Sequence, residues 1–212
     1  MIDRLGQAYL PETPSQTAGP YVHIGLMPHQ AGFNIFERNF SNMLAGPETQ
    51  GERIRIEGRI FDGSGSPAKD ILVEIWQANA AGRYAHPADR QDDKPLDPHF
   101  RGWGRTGTDF ATGVYAFETV MPGPVASRKG HCAMAPHVNL WLASRGMNIG
   151  LATRMYFDSE AALNADDPVL NIIDPPSRRE TLIARREDRT GVPAYIFDIH
   201  LQGERETVFF DV

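Results

Sequence analysis

Residues 53–61 alternate strictly. Ile54, Ile56, Gly58 and Ile60 fall on one side and Arg53, Arg55, Glu57 and Arg59 on the other, a period of two that predicts a half-buried strand. The run Asp62-Gly63-Ser64-Gly65-Ser66-Pro67 is dense in turn formers, and residues 71–76 resume as an apolar run short enough to be a strand buried on both faces. Together they read as a hairpin with a loose connection. Residues 113–120, 137–143, 152–157, 194–202 and 206–212 are further strand candidates, rich in β-branched and aromatic side chains and separated by Gly or Pro. About seven short strands predict an all-β fold, a β-sandwich.

Ser177-Arg178-Arg179-Glu180 has the form of a capping box leading into residues 181–188, which places a short peripheral helix there. Residues 100–113 and 120–136 show little periodicity and many Gly, Pro and polar residues, and loops of that length are usually functional. No repeat and no long Ser/Gly/Pro linker divides the chain, so residues 1–212 read as a single domain.

A chain of 212 residues can bury a sizeable core, and about 48% apolar residues, glycine included and tyrosine excluded, argues against wholesale disorder. The net charge of −6 comes from 21 basic and 27 acidic residues that are interspersed, so no basic face exists for nucleic acid. No stretch approaches the roughly 18 consecutive apolar residues of a membrane span, and residues 1–14 lack the apolar core of a signal peptide. The single Cys132 cannot form an intrachain disulfide, which agrees with a cytoplasmic, reducing location. Although His131 and His137 are near it in sequence, it reads as an ordinary loop or interface cysteine.

Gly102-Trp103-Gly104-Arg105-Thr106-Gly107 matches a dinucleotide-binding fingerprint in letters only, because Asp97-Pro98-His99 precedes it and another strand follows where a helix is needed. Gly63-Ser64-Gly65 lacks the Lys-Ser/Thr of a phosphate loop. The seven histidines, His23, His29, His86, His99, His131, His137 and His200, include no pair at i+2 or i+4. His137 differs from the rest because its neighbours on the same strand face are Asn139 and Trp141, a polar cluster that needs a partner.

Several long, ordered segments resemble the intradiol ring-cleaving dioxygenases: residues 10–21 (LPETPSQTAGPY), Val73-Glu74-Ile75-Trp76-Gln77-Ala78-Asn79, Pro122-Gly123-Pro124, Ala135-Pro136-His137, Arg179-Glu180-Thr181-Leu182-Ile183-Ala184 and Glu206-Thr207-Val208-Phe209-Phe210-Asp211. The resemblance spans nearly the whole chain and implies a β-sandwich with Greek-key character. It also implies a non-haem Fe(III) held by two tyrosinates and two histidines, a set whose anionic phenolates suit the ferric ion. This sequence keeps Tyr84 and His137, but has Val125 where the second tyrosine belongs, Asn139 at the second histidine and Met134 where iron-bearing chains have an arginine.

The resemblance therefore implies an alpha-type chain without catalytic or metal-binding residues of its own, inactive alone, beside a beta chain that binds Fe(III). The pair would cleave protocatechuate, a small aromatic acid, with O₂ between its two hydroxylated carbons to give 3-carboxy-cis,cis-muconate. By the same resemblance, residues 1–50 form an arm and loop region that reaches the partner's active site. Thr17, Gly19, Pro20, Tyr21 and Arg145 would contact the substrate there: glycine permits close approach, proline stiffens the loop and arginine supplies a permanent charge. Trp103, Trp141, Phe209 and Phe210 are candidates for either interface anchors or core. Two alternatives stay open, a non-catalytic β-sandwich binding module and an alpha chain serving another substituted catechol.

Overall fold

The computed structural model describes residue 14 and residues 16–37, 40–127 and 132–211. The arm residues Leu10 to Thr13 and Ser15, together with His131 and Val212, lie outside them, as does the side chain of His23. Among the described residues the strands are β1 (Arg53–Phe61), β2 (Leu72–Gln77), β3 (Trp103–Gly107), β4 (Val114–Val120), β5 (Val125–Ala126), β6 (Ala133–Met134), β7 (His137–Ala143), β8 (Leu151–Phe157), β9 (Ile183–Glu187), β10 (Ala194–Ile196) and β11 (Ile199–His200). The helices are short: α1 (Val22–Leu26), α2 (Ala161–Ala165), α3 (Pro168–Asn171) and the 3₁₀ turns Asp158–Glu160 and Pro176–Leu182. None of the described helices is long and apolar enough to cross a membrane.

Two groups of strands meet in an all-β sandwich. β1 pairs with β4 antiparallel and with β10 and β11 parallel, while β3, β2, β7 and β8 form an antiparallel run; β9 joins the groups by pairing parallel with β8 and antiparallel with β10. Inward residues of both groups share one core. Ile54, Ile56 and Ile60 of β1, Tyr115 and Phe117 of β4 and Tyr195 of β10 pack with Val73 and Ile75 of β2, Val138, Leu140 and Leu142 of β7, and Met155 and Phe157 of β8. The predicted period of two is thus realised, with every second residue of β1 buried.

Several expectations are corrected. The segments at 53–61 and 71–76 are strands but not a hairpin: β1 and β2 have no partner in common, and the connection, folded around the Asp62 carboxylate, carries the chain from one group to the other. β2 is also not buried on both faces, since Trp76 on its outer face is 42% exposed. Residues 181–188 do not form the predicted helix: Thr181 and Leu182 end a 3₁₀ turn and Ile183–Glu187 is strand β9. Pro175 caps a 3₁₀ turn with no side-chain bond from Ser177, and the chain then enters β9, where ladders on both sides outweigh local propensity. Within residues 100–113 the glycine-rich fingerprint is strand β3, paired with β2.

The segment 194–202 splits into β10 and β11. Phe197 turns its carbonyl toward β1 at Gly58, where a Cβ would collide with that oxygen, and Tyr115 donates a 2.6 Å hydrogen bond to the same oxygen. Residues 206–211 form no strand and meet β8 through the bridge of Phe210 to Ala152 and a hydrogen bond from the Thr153 hydroxyl to the Val208 carbonyl. Phe209 and Phe210 are core-packing residues, and Trp103 meets Phe40 edge-on at 5.0 Å; only Trp141 of the four aromatic candidates is substantially exposed, at 37%.

Candidate functional site

Two loops meet beside the outer face of β2 and β7. Asn79 folds the first on itself, its Oδ1 accepting from the backbone of Ala81 and Arg83 and its Nδ2 donating to Pro95. Its own carbonyl accepts from Gly123 of the Pro-Gly-Pro segment. The contact is close enough that a Cβ on Gly123 would sit 2.5 Å from the Ala80 carbonyl. Gln77 secures the strand end, donating to Val120 and accepting from Thr119 in the buried interior. The Trp-Gln-Ala-Asn and Pro-Gly-Pro motifs are thus the framework that presents Tyr84 and Val125 to one place.

There the outer faces of β7 and β8 contribute a continuous set of hydrogen bonds. Arg154 Nε donates to Asn139 Oδ1 at 2.9 Å; Asn139 Nδ2 donates to the Tyr84 hydroxyl at 3.1 Å and to the Trp76 carbonyl at 3.2 Å. The amide orientation follows, because a carbonyl can only accept and a guanidinium can only donate. His137 Nδ1 is 2.7 Å from the Ala135 carbonyl and must carry the proton there, so Nε2 accepts from the Tyr84 hydroxyl at 3.3 Å. Asn139 and Arg154 are register partners, as are His137 and Tyr156. Val125, buried, pairs with Met134 in the β5–β6 ribbon, and Arg154 also approaches the Met134 sulfur at 3.6 Å.

Burial, then the nearby Arg154 charge, lowers His137 from 6.5 to about 4, so the ring is neutral at neutral pH. Burial raises Tyr84, and it remains a phenol. Beneath the cluster, the fully buried Asp167 accepts from Ala135 N, Val169 N, Leu170 N and Tyr156 Oη, tying the turn before β7 to the start of α3.

These residues do not fit the ferric ion the family implies. Val125 has no donor atom, both ends of the Asn139 amide are committed within the protein, Tyr84 keeps its proton and donates it in a hydrogen bond to His137, and a guanidinium adjoins the set. Sequence reasoning identified Tyr84, Val125, Met134, His137 and Asn139 and missed Arg154, Asp167 and the flanking Trp76, whose ring lies 4.8 Å from that of Tyr84. A charged residue within the 152–157 strand candidate was a visible signal for Arg154; its pairing with Asn139 was not.

The arm residues are elsewhere. Ala18 N donates to Met147 O and Gly146 N returns a bond to Ala18 O, which hooks the arm onto the turn after β7. Thr17, Gly19 and Pro20 are exposed there, and Tyr21 is 76% exposed. Gly19 has no left-handed φ, and a Cβ on it would meet no atom within 4 Å, so nothing in this chain requires glycine. Arg145 joins the same turn, its side chain 65% exposed with Nε 2.6 Å from Asp70. Asn139 lies within β7, whereas Arg145 lies in the turn beyond the end of that strand at Ala143. The arm and Arg145 come together, but apart from the Tyr84–His137 cluster.

Residues 34–203 match the Dioxygenase family model. The chain is 51% identical over 202 residues to the protocatechuate 3,4-dioxygenase alpha chain of Pseudomonas putida, covering 95% of this chain and 97% of that one. It is 40% identical over 171 residues to the beta chain of the Burkholderia cepacia enzyme, covering 78% of this chain and 71% of that one. Among solved structures, the dioxygenase domain of a carbohydrate-binding fusion protein from Streptomyces sp. SirexAA-E shares the fold, with a TM-score of 0.57 at 20% identity over 93% of this chain and 100% of that one. The chain belongs to the intradiol ring-cleaving dioxygenase family.

Proposed function

We propose that this chain is the alpha-type subunit of a protocatechuate 3,4-dioxygenase, a cytoplasmic enzyme in which an iron-bearing beta chain holds the Fe(III) and this chain completes the pocket for an aromatic acid and O₂. The observation that carries this reading is the division of its surface. The cluster at Tyr84, Val125, His137 and Asn139 has spent its donors on internal hydrogen bonds, while the arm residues Thr17, Gly19, Pro20 and Tyr21 and the Arg145 side chain are exposed together at the turn beyond the end of β7. Residues so exposed serve no cavity of their own chain.

The chemistry agrees. Protocatechuate is an anion, and a chain of net charge −6 does not attract it through its overall field. Arg145 does so locally, within the ~8 Å screening length of physiological salt, with Asp70 setting the direction of its guanidinium. Gly19 admits a partner surface, Pro20 stiffens the loop and Tyr21 offers a flat ring with a hydroxyl. The whole chain acts as one domain, with residues 1–50 as the region that reaches the partner.

Producing the chain with and without a beta-type chain tests the proposal. Ring cleavage is expected from the pair alone, with iron counted one per beta chain. A lone chain carrying stoichiometric iron, the visible tyrosinate-to-Fe(III) absorption and turnover would overturn it, and failure to bind any beta-type chain would favour the binding-module reading.

A further inference from the structure

The hydrogen bonds at the cluster all run one way. Arg154 donates to Asn139, Asn139 to Tyr84, Tyr84 to His137 and His137 to the Ala135 carbonyl. Such a relay needs a source that only donates and a sink that only accepts, and here they are a guanidinium and a carbonyl. Among the described residues no carboxylate lies within ion-pair distance of Arg154; its contacts are the amide oxygen of Asn139, the sulfur of Met134 and the hydroxyl of Tyr156. A half-buried cation with no carboxylate in direct contact is costly unless the dipoles around it are organised; the Tyr156 hydroxyl beside it donates on to the Asp167 carboxylate, and the relay aligns three further dipoles away from it.

We propose that Arg154 is the resident cation of this cluster: it takes the place a metal ion would occupy electrostatically, holding Tyr84, Asn139 and His137 in order through the relay and opposing the entry of any metal cation. On this view the loss of donors at Val125 and Asn139 is only half of the reason the cluster refuses iron. The other half is a fixed positive charge beside it. The inference goes beyond the subunit assignment, and its test uses neither turnover nor a partner's pocket.

The test restores the missing donors with and without the charge. In the full chain, Val125→Tyr with Asn139→His is compared with the same pair plus Arg154→Gln, each titrated with Fe(III) and followed by elemental analysis per copy of the chain and by visible tyrosinate-to-iron absorption. The variant lacking the guanidinium is expected to bind Fe(III) at least about tenfold more tightly than the variant retaining it, since a unit charge a few ångströms away repels a cation even at a high effective dielectric. Equal affinity, or no iron in either, would overturn the proposal.

A second measurement stands if those variants fold poorly. Arg154→Gln and Tyr84→Phe, which alter the first and third donors of the relay with Asn139 between them, are combined in a double-mutant cycle read by Tm. If one relay links them, the double variant loses less than the sum of the two singles; strict additivity would overturn the relay.

Discussion

The Tyr84 hydroxyl lies 3.3 Å from His137 Nε2, and because Nδ1 of that ring is bound to the Ala135 carbonyl, the shared proton belongs to the tyrosine. His137 is therefore an acceptor that functions only as the neutral imidazole. Protonation would set two donors face to face.

A pH dependence follows. Burial, followed by the Arg154 charge, lowers His137 from 6.5 to about 4 in the folded chain. Between those values the unfolded chain binds a proton that the folded chain refuses, so stability is fully present above pH 6.5 and declines as the pH falls toward 4, by about 3 kcal/mol from this group. The His137→Gln chain should show a smaller drop in Tm between pH 7 and pH 4.5 than the unaltered chain. Parallel curves would remove His137 as a source.

Asp167 predicts a large structural effect. Its carboxylate accepts from three backbone amides and the Tyr156 hydroxyl while wholly shielded from water. Asp167→Ala leaves those donors without an acceptor and should cost about 3 kcal/mol or more, measured by urea unfolding. A loss under about 1 kcal/mol would mean the donors find other acceptors.

Gly58 predicts a steric effect. Because a Cβ there would collide with the Phe197 carbonyl, Gly58→Ala must displace that carbonyl and the Tyr115 hydroxyl bound to it, at about 2–3 kcal/mol. Gly65→Ala, at φ +80 with open space around it, is the control and should cost about 1 kcal/mol. Equal losses in urea unfolding would show that the close approach is unimportant.

Arg145 carries the prediction on activity. In the assembled enzyme, Arg145→Ala should raise KM or lower turnover while leaving the iron content unchanged, and Asp70→Asn should give a weaker effect in the same direction by releasing the guanidinium. Iron loss in Arg145→Ala would mean the residue supports the metal site instead of the substrate.

The strands that could be read from sequence were those whose alternation is set by burial alone. β1 and β7 match their expected bounds, because one face of each meets a continuous core. Partnership was not legible. Nothing between Phe61 and Leu72 says that β1 and β2 belong to different strand groups, and Ser177 and Glu180 spell a cap whose helix is overridden by ladders formed with β8 and β10, both distant from that turn. The same limit governs the site. Tyr84, Val125, His137 and Asn139 stand out through ordered motifs, whereas Arg154 acquires its role only when register sets it beside Asn139, and Asp167 only when the cap of α3 meets the backbone of Ala135.

The arm's mounting separates attachment from presentation. Ala18 is hooked to the 146–147 turn by two bonds between peptide groups, to which the Thr17 hydroxyl adds a third at the Ala18 carbonyl. The residues at positions 19, 20 and 21 can therefore be exchanged without breaking the peptide-group hydrogen bonds that hold the arm. Under the proposed role, a lineage whose substrate carries a different ring substituent revises this surface while the sandwich beneath stays untouched.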